Sequence, residues 1–125
     1  MINQVTLVGR VVEKPVLHDY EGEFKVATLN LAVVRPFKNL EGNLETDFIR
    51  VSLWNGIAES TSEYTNKGDI VGVKGRLVTK DTEVSFANGV EVMKKKIQVL
   101  EIIGERIIFI HAYNRKNIMS KEEEN

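Results

Sequence analysis

The chain of 125 residues contains no cysteine and only two histidines. The absence of thiols excludes disulfide bonds and thiolate metal sites, and it favours a reducing cytoplasm as the location. Because His18 and His111 are the only imidazoles, a histidine-rich metal site or catalytic site is not expected. We therefore predict a protein without a metal ion and without a cofactor.

Long apolar runs are also missing from the sequence. No segment approaches the roughly 20 consecutive apolar residues that a membrane-spanning helix needs. The opening residues Met1-Ile2-Asn3-Gln4 lack the basic and apolar regions of a signal peptide. We expect no membrane partner for this chain.

Neither sign of charge predominates, since 17 basic residues face 18 acidic ones and the net charge is −1. The tail 120–125 holds one lysine and three glutamates, and without it 16 basic and 15 acidic residues remain. A polyanionic partner would thus need locally clustered cations together with a contribution that is not electrostatic.

Alternation of apolar and polar residues is the main pattern in the chain. It predicts five strands and, after the third of them, one short helix that runs over 57–67 with Asn55 as its N-cap. The predicted strands cover 5–12, 25–35, 46–54, 69–79 and 90–103, with a long hairpin connection over 81–89. This order is typical of the OB-fold, a five-stranded Greek-key barrel with a helix between its third and fourth strands. An open antiparallel sheet is the alternative.

The carboxyl-terminal part differs from the body in pattern. We predict one domain over 1–104 and an extension over 105–125 that is strand-like to about 113 and then a flexible tail. Because Ile107 to Ile110 are rich in β-branched residues, we interpret them as an added strand that packs on the barrel or on a neighbouring subunit.

The third strand carries unusual side chains on its second face. Alternation gives that face, in order, Phe48, Arg50, Ser52 and Trp54, whereas the other face carries the apolar residues Ile49, Val51 and Leu53. Either the strand is buried on both sides or the two rings form an exposed platform for nucleobases. Arg50 bears on this choice, because an unpaired arginine is costly to bury but useful beside a phosphate or a ring.

Further aromatic and basic residues lie near this strand in the sequence. Phe37 stands between Arg35 and Lys38 where the hairpin loop begins, and its ring either projects or folds back on the core. In the fourth strand, alternation places three cations on the outward face, either as phosphate contacts or as a solvated surface: Lys74, Arg76 and Lys80. In the run 94–96, Lys94 and Lys96 share a face, as DNA contacts or as protection of an edge strand.

Several short motifs occur together in a recognisable order and spacing. They are Met1 to Arg10, Pro15, Leu31-Ala32-Val33, Phe37, Thr46-Asp47-Phe48-Ile49, Trp54, Ala58-Glu59, Tyr64, Lys67-Gly68, Gly75-Arg76-Leu77 and Ile97 to Glu101. This ordered set resembles the bacterial single-stranded DNA-binding proteins over about the first hundred residues.

The resemblance implies an OB-fold that binds single-stranded DNA with little sequence preference during replication, recombination or repair, usually as a homotetramer associated with the nucleoid. It also implies that the stacking aromatics are Phe37, Phe48 and Trp54. The candidate phosphate contacts are Arg35, Lys38, Arg50, Lys74, Arg76 and Lys80, and the further candidates for this surface are Phe86, Lys94 and Lys96.

Two departures from the family pattern are visible. Where family members often carry a fourth stacking aromatic, this chain has Thr82, and Phe86 is a candidate substitute. The chain ends in acidic residues without the apolar tip through which family members recruit other proteins, so we do not expect that recruitment.

Other classes of function have weaker support in the sequence. An OB-fold module for replication restart, which binds protein partners as much as DNA, is the alternative function. A nuclease would need clustered carboxylates, but Glu45, Asp47 and Asp69 have no convincing further acid or histidine around them. Glycine-rich phosphate loops are absent as well, and we predict that the chain is not an enzyme.

Overall fold

The computed structural model describes residues 1–112, which form six strands and one helix. In chain order these are β1 (Val5–Val11), β2 (His18–Tyr20), β3 (Phe24–Lys38), β4 (Leu44–Trp54), α1 (Asn55–Tyr64), β5 (Ile70–Asn88) and β6 (Glu91–His111). Within these residues no helix is long and apolar enough to cross a membrane. The whole of the predicted flexible tail falls within residues 113–125, which lie outside the described residues.

Five of the strands close into a ring. Strand β1 pairs with β5, β5 with β6, β4 with β3, and β3 returns to β1 at Arg10 and Val11. The remaining junction, between β4 and β6, is parallel, whereas the other pairings are antiparallel. This strand order is that of an OB-fold barrel, so the predicted fold is confirmed and the open sheet is wrong.

The core fills the inside of the ring with apolar side chains. Alternate residues of each strand point inward, and each leucine or valine buried there contributes about 1.5–3 kcal/mol relative to exposure. Helix α1 covers one end of the barrel with Ala58 and Thr61. The fully buried apolar residues are Val11, Ala27, Leu29, Leu31, Val51, Leu53, Ala58, Val71 and Val73.

Strand β6 changes its neighbour at Gly104. It pairs with β4 at Ile102 and Ile103 and then follows β5 as far as His111. A Cβ atom at Gly104 would lie 2.5 Å from Cδ2 of Leu53, so any larger residue would require the buried Leu53 side chain to shift. The segment that we interpreted as an added strand is therefore a continuation of β6, and the chain crosses the predicted boundary at 104 without leaving the strand.

The start of the helix differs from the sequence-based prediction. Asn55 does not cap the helix, because its Oδ1 accepts a hydrogen bond from the backbone N–H of Lys25 at 3.2 Å and so extends the pairing of β3 with β4. The helix begins at Asn55 and ends at Tyr64. The side chain of Tyr64, the last residue of the helix, is exposed.

The predicted connection over 81–89 is mostly strand. Strands β5 and β6 stay paired from Lys80 and Val99 out to Asn88 and Glu91, leaving a turn of residues 89 and 90. We call this two-stranded segment, residues 80–99, the ribbon. Leu77 is 40% exposed and lies close to the point where the ribbon leaves the barrel.

Candidate nucleic-acid interface

The second face of β4 is open to solvent. Phe48 is 75% exposed and Arg50 is exposed, while the neighbouring Val51 and Leu53 are completely buried. Of the two interpretations of this strand, burial on both sides is therefore wrong. We call the solvent side of β3, β4, β5 and β6 that carries Phe48 the aromatic face.

Phe37 lies at the end of β3, beside the β3–β4 hairpin loop. Its ring is 69% exposed and does not fold back on the core. The loop is held by Asn39, whose backbone N–H donates to the carbonyl of Asn43 at 2.8 Å. The Asn39 Oδ1 also accepts the backbone N–H groups of Glu41 and Asn43, each at 3.0 Å. The loop that adjoins Phe37 thus has its own hydrogen-bonded frame.

Trp54 lies at the other end of the aromatic face and is partly buried. Its ring meets Tyr20 edge-on with centroids 5.7 Å apart, and Phe24 edge-on at 6.5 Å. Such edge-to-face pairs orient a ring as well as burying it. The sequence analysis missed both residues and strand β2. The sequence signal that could have indicated β2 was the pair Glu21-Gly22 between two aromatic residues, which is typical of a hairpin turn. In the structure both residues have positive φ, of 51° and 76°.

A cleft of about 460 Å³ lies between Trp54 and the base of the ribbon. Arg50 and Ser52 of β4, Lys80 of β5 and Glu101 of β6 line this cleft together with Trp54. A second cleft of about 470 Å³ adjoins the other side of the tryptophan and is lined by Arg76. The structure therefore brings three predicted cations around one predicted stacking ring.

Most of the predicted phosphate contacts carry uncompensated charge. Within residues 1–112, the side chains of Lys38, Arg50, Lys74 and Lys80 make no hydrogen bond or ion pair. Arg76 is only loosely paired, 4.0 Å from a Glu105 oxygen. Lys74 lies apart from the clefts, where β5 pairs with Thr6 of β1 and Arg106 of β6.

Arg35 has different surroundings. Its guanidinium donates to Asp47 at 2.9 and 3.0 Å and to Glu45 at 2.5 Å. The hydrogen bond from Arg35 holds the pKa of Asp47 below its usual value, although partial desolvation acts in the opposite direction. Because Asp47 and Phe48 are adjacent in a strand, they point to opposite sides. The charge of Arg35 is thus compensated behind the aromatic face, which does not favour its predicted contact with phosphate.

The register of the ribbon assigns its side chains to two faces. Phe86 pairs with Met93, is 54% exposed and shares the face of Lys80 and Thr82. Lys95, opposite Val84, lies on that same face.

The other two lysines of the run 94–96 were the predicted ones, and they lie elsewhere. Lys94 pairs with Ser85 and Lys96 with Glu83, on the face opposite Phe86. The sequence placed these two lysines together but could not relate them to Phe86, because that relation depends on the strand register.

Metal chemistry has no site among the described residues. Within residues 1–112, no group of three or more histidine, aspartate or glutamate side chains could hold a metal ion. Glu45 and Asp47, which the sequence analysis weighed as carboxylates of a nuclease, are both engaged by Arg35.

Comparisons with known proteins agree on one family. A model of the single-strand binding protein family matches residues 2–110. The chain is 39% identical over 116 residues to single-stranded DNA-binding protein B of Bacillus subtilis, covering 93% of this chain and 96% of that protein. It is 38% identical over 112 residues to single-stranded DNA-binding protein 3 of Listeria innocua, covering 90% of this chain and 66% of that protein.

A third relative gives the same result. The single-stranded DNA-binding protein of Oceanobacillus iheyensis is 40% identical over 109 residues, or 85% of this chain and 68% of that protein. The match thus spans nearly the whole Bacillus subtilis relative and about two thirds of the other two. With the closed five-stranded barrel and the family match over most of its length, this chain belongs to the single-strand binding protein family.

Proposed function

We propose that this chain binds single-stranded DNA without strong sequence preference, by stacking bases on Phe37, Phe48 and Trp54. The observation that carries the proposal is the exposure of large rings, since Phe48 is 75% exposed on the outer side of β4 and Phe37 is 69% exposed at the end of β3. A solvated strand face would normally be polar, so a large exposed ring on it favours a partner that covers the ring. Nucleobases fit because every base has a π-face.

The proposed phosphate contacts are cations of the aromatic face that are unpaired among residues 1–112 or, like Arg76, only loosely paired. Arg50, Lys80 and Arg76 surround Trp54, and Lys38 adjoins Phe37. Lys74 stays a more distant candidate, and Arg35 is left out because two carboxylates already bind it. Along the ribbon, Phe86 extends the aromatic face. We propose Lys95, in place of Lys94 and Lys96, as the phosphate contact there, because Lys95 shares the face of Phe86.

Stacking supplies most of the proposed affinity. Each stacked base contributes about 1–3 kcal/mol by alanine substitution, so three rings give several kcal/mol. Non-specific binding with a Kd of about 10⁻⁴–10⁻⁶ M corresponds to about 5.5–8 kcal/mol. A near-neutral chain with net charge −1 can therefore bind a polyanion without a large basic patch.

The cellular role and assembly are also part of the proposal. Protection of unpaired DNA during replication, recombination or repair, in the cytoplasm and on the nucleoid, suits such non-specific binding. A homo-oligomer, with the tetramer as the expected form, would repeat the aromatic face along one DNA strand and add avidity. The family consists of DNA-binding proteins rather than enzymes, and no comparison favours the replication-restart module.

Titration of the intrinsic fluorescence with oligo-dT tests the proposal, because Trp54 is the single tryptophan. We expect quenching that saturates, and a log–log salt slope of about −0.7 for each phosphate engaged. Phe48→Ala should weaken binding about tenfold, since it removes one stacking ring but leaves the reporter.

Tyr64→Ala is the matched control, because Tyr64 is 66% exposed on α1 and not on the aromatic face. Equal effects of the two substitutions, or fluorescence that does not respond to DNA, would contradict the proposal. Trp54→Ala, followed by anisotropy of a labelled oligonucleotide, should also weaken binding about tenfold or more.

A further inference from the structure

We propose that Glu101 makes the cleft beside Trp54 selective among nucleobases, favouring cytosine, with its exocyclic amino group, over thymine. This inference rests on the proposed function, because it concerns which base enters the cleft when DNA is bound. It adds a hydrogen-bonding preference to a surface whose affinity otherwise comes from stacking and phosphate contacts.

Glu101 lines the cleft. It is the only carboxylate lining the cleft in the part of the chain that the structure describes, and its side chain is partly buried. The hydroxyl of Ser52 donates a hydrogen bond to Oε1 of Glu101. This contact orients the carboxylate between β4 and β6 and leaves Oε2 without a protein donor among residues 1–112.

Among residues 1–112, no cation forms an ion pair with this carboxylate. Although Arg50 and Lys80 line the same cleft, neither lies within 4.0 Å of a Glu101 oxygen. Glu45 and Asp47, by contrast, are both paired with Arg35. A free carboxylate on a DNA-binding surface repels phosphates, so it is compatible with binding only where base edges rather than phosphates approach it. Stacking on Trp54 brings a base to the cleft in this way.

The chemistry of the base edges then decides the preference. The amino group of cytosine donates hydrogen bonds, and a glutamate is the side chain that accepts from it. Thymine has a carbonyl oxygen at the same place, and two acceptors facing each other repel. Cytosine and thymine are both single-ring pyrimidines, so the comparison isolates this difference. Glu101 should therefore raise the affinity for oligo-dC relative to the affinity for oligo-dT.

The test compares the affinities of oligo-dC and oligo-dT of about eight nucleotides, a length suited to one OB-fold. The variant Glu101→Gln removes the charge and keeps the shape, and we expect it to lower the ratio of dC affinity to dT affinity about fivefold. Glu83→Gln is the matched control, because Glu83 pairs with Lys96 on the opposite face of the ribbon. It removes the same charge and should leave the ratio unchanged.

A chemically modified oligonucleotide tests whether the cytosine amino group is the group that Glu101 contacts. Dimethylation of the cytosine amino groups removes their donors, and it should weaken binding to the unmodified protein but have little effect on Glu101→Gln. An unchanged dC-to-dT ratio in a Glu101→Gln variant that melts like the parent protein would overturn the inference while leaving the proposed function intact. Failure of the parent protein to bind either oligonucleotide would overturn the proposed function itself.

Discussion

Arg35 and Arg50 lie on neighbouring strands, but their surroundings differ. Arg35 is bound by two carboxylates, and Arg50 has no ion-pair partner among residues 1–112. An arginine whose donors are already used gains little from a phosphate, because it must first give up charge-assisted hydrogen bonds. Arg35 therefore links β3 to β4 beside the hairpin, whereas Arg50 has, among the described residues, no ion pair that a phosphate would have to displace.

The Arg35–Asp47 pair predicts a pH-dependent contribution to stability. Arg35 lowers the pKa of Asp47 below the ordinary 3.8. A carboxylate with a depressed folded-state pKa stabilises the fold above its unfolded-state pKa, and this contribution is lost as the pH falls through the folded-state value. We expect Asp47→Asn to melt below the parent protein at pH 7 and the two melting temperatures to converge in acid, below the folded-state pKa.

Thermal melts at a series of pH values check this expectation. Asp81→Asn is the control, since Asp81 is an exposed aspartate without an ion pair among the described residues. Its melting temperature should follow that of the parent protein at every pH. A difference between Asp47→Asn and the parent that does not change with pH would show that the pair contributes nothing through its charge.

At the scale of elements, alternation predicted most of the barrel. The period of two in β3, β4 and the first part of β5 reports directly which side chains face the core, so Phe48 and Trp54 were assigned to the outer side of β4. The helix was also found, but its N-cap was wrong, because the side chain of Asn55 bonds to β3 instead. Contacts between distant segments leave no such local signal.

The missed parts of the site depend on pairing between strands. Strand β2 has three residues, too few for alternation to reveal, and it carries Tyr20 against Trp54. In the ribbon, alternation alone could not relate the lysine run to Phe86, because a shift of one residue in register exchanges the two faces. Likewise, the turn of β6 away from β4 depends on the close packing of Gly104 against Leu53.

The two faces of the ribbon predict unequal effects for two adjacent lysines. Lys95 shares the face of Phe86 and Lys80, and Lys96 lies opposite, beside Glu83. We expect Lys95→Ala to weaken oligo-dT binding about two- to threefold and to make the log–log salt slope shallower by about 0.7. Lys96→Ala removes the same charge from the other face and should leave the slope unchanged. A larger effect from Lys96→Ala would mean that DNA follows the opposite side.

At the scale of the whole molecule, β1 has an open strand edge beside an apolar strip on the outer side of the barrel. Within residues 1–112, the segment 5–9 of β1 pairs only with β5, since β1 meets β3 only at Arg10 and Val11. On the outer side of β1, β5 and β6, Val8 is 55% exposed, and the side chains of Ile108 and Ile110 lie next to Gly72. An open edge beside an apolar strip is a ready surface for a second copy of the chain.

Oligomerisation through this surface is the last prediction, and it rests on the proposed homo-oligomer. In Val8→Glu, a charge enters the centre of the strip, where burial without a partner is costly. We expect light scattering after size exclusion at micromolar concentration to give a smaller mass for Val8→Glu than for the parent protein. Because the side chain of Val8 points to solvent within one copy, the fold should persist, and the thermal melt and Trp54 emission report on this. Leu40→Glu, a matched change at a fully exposed loop residue, should keep the parent mass. A folded Val8→Glu variant with the parent mass would show that the copies meet at another surface. A monomeric parent protein would contradict the proposed homo-oligomer itself.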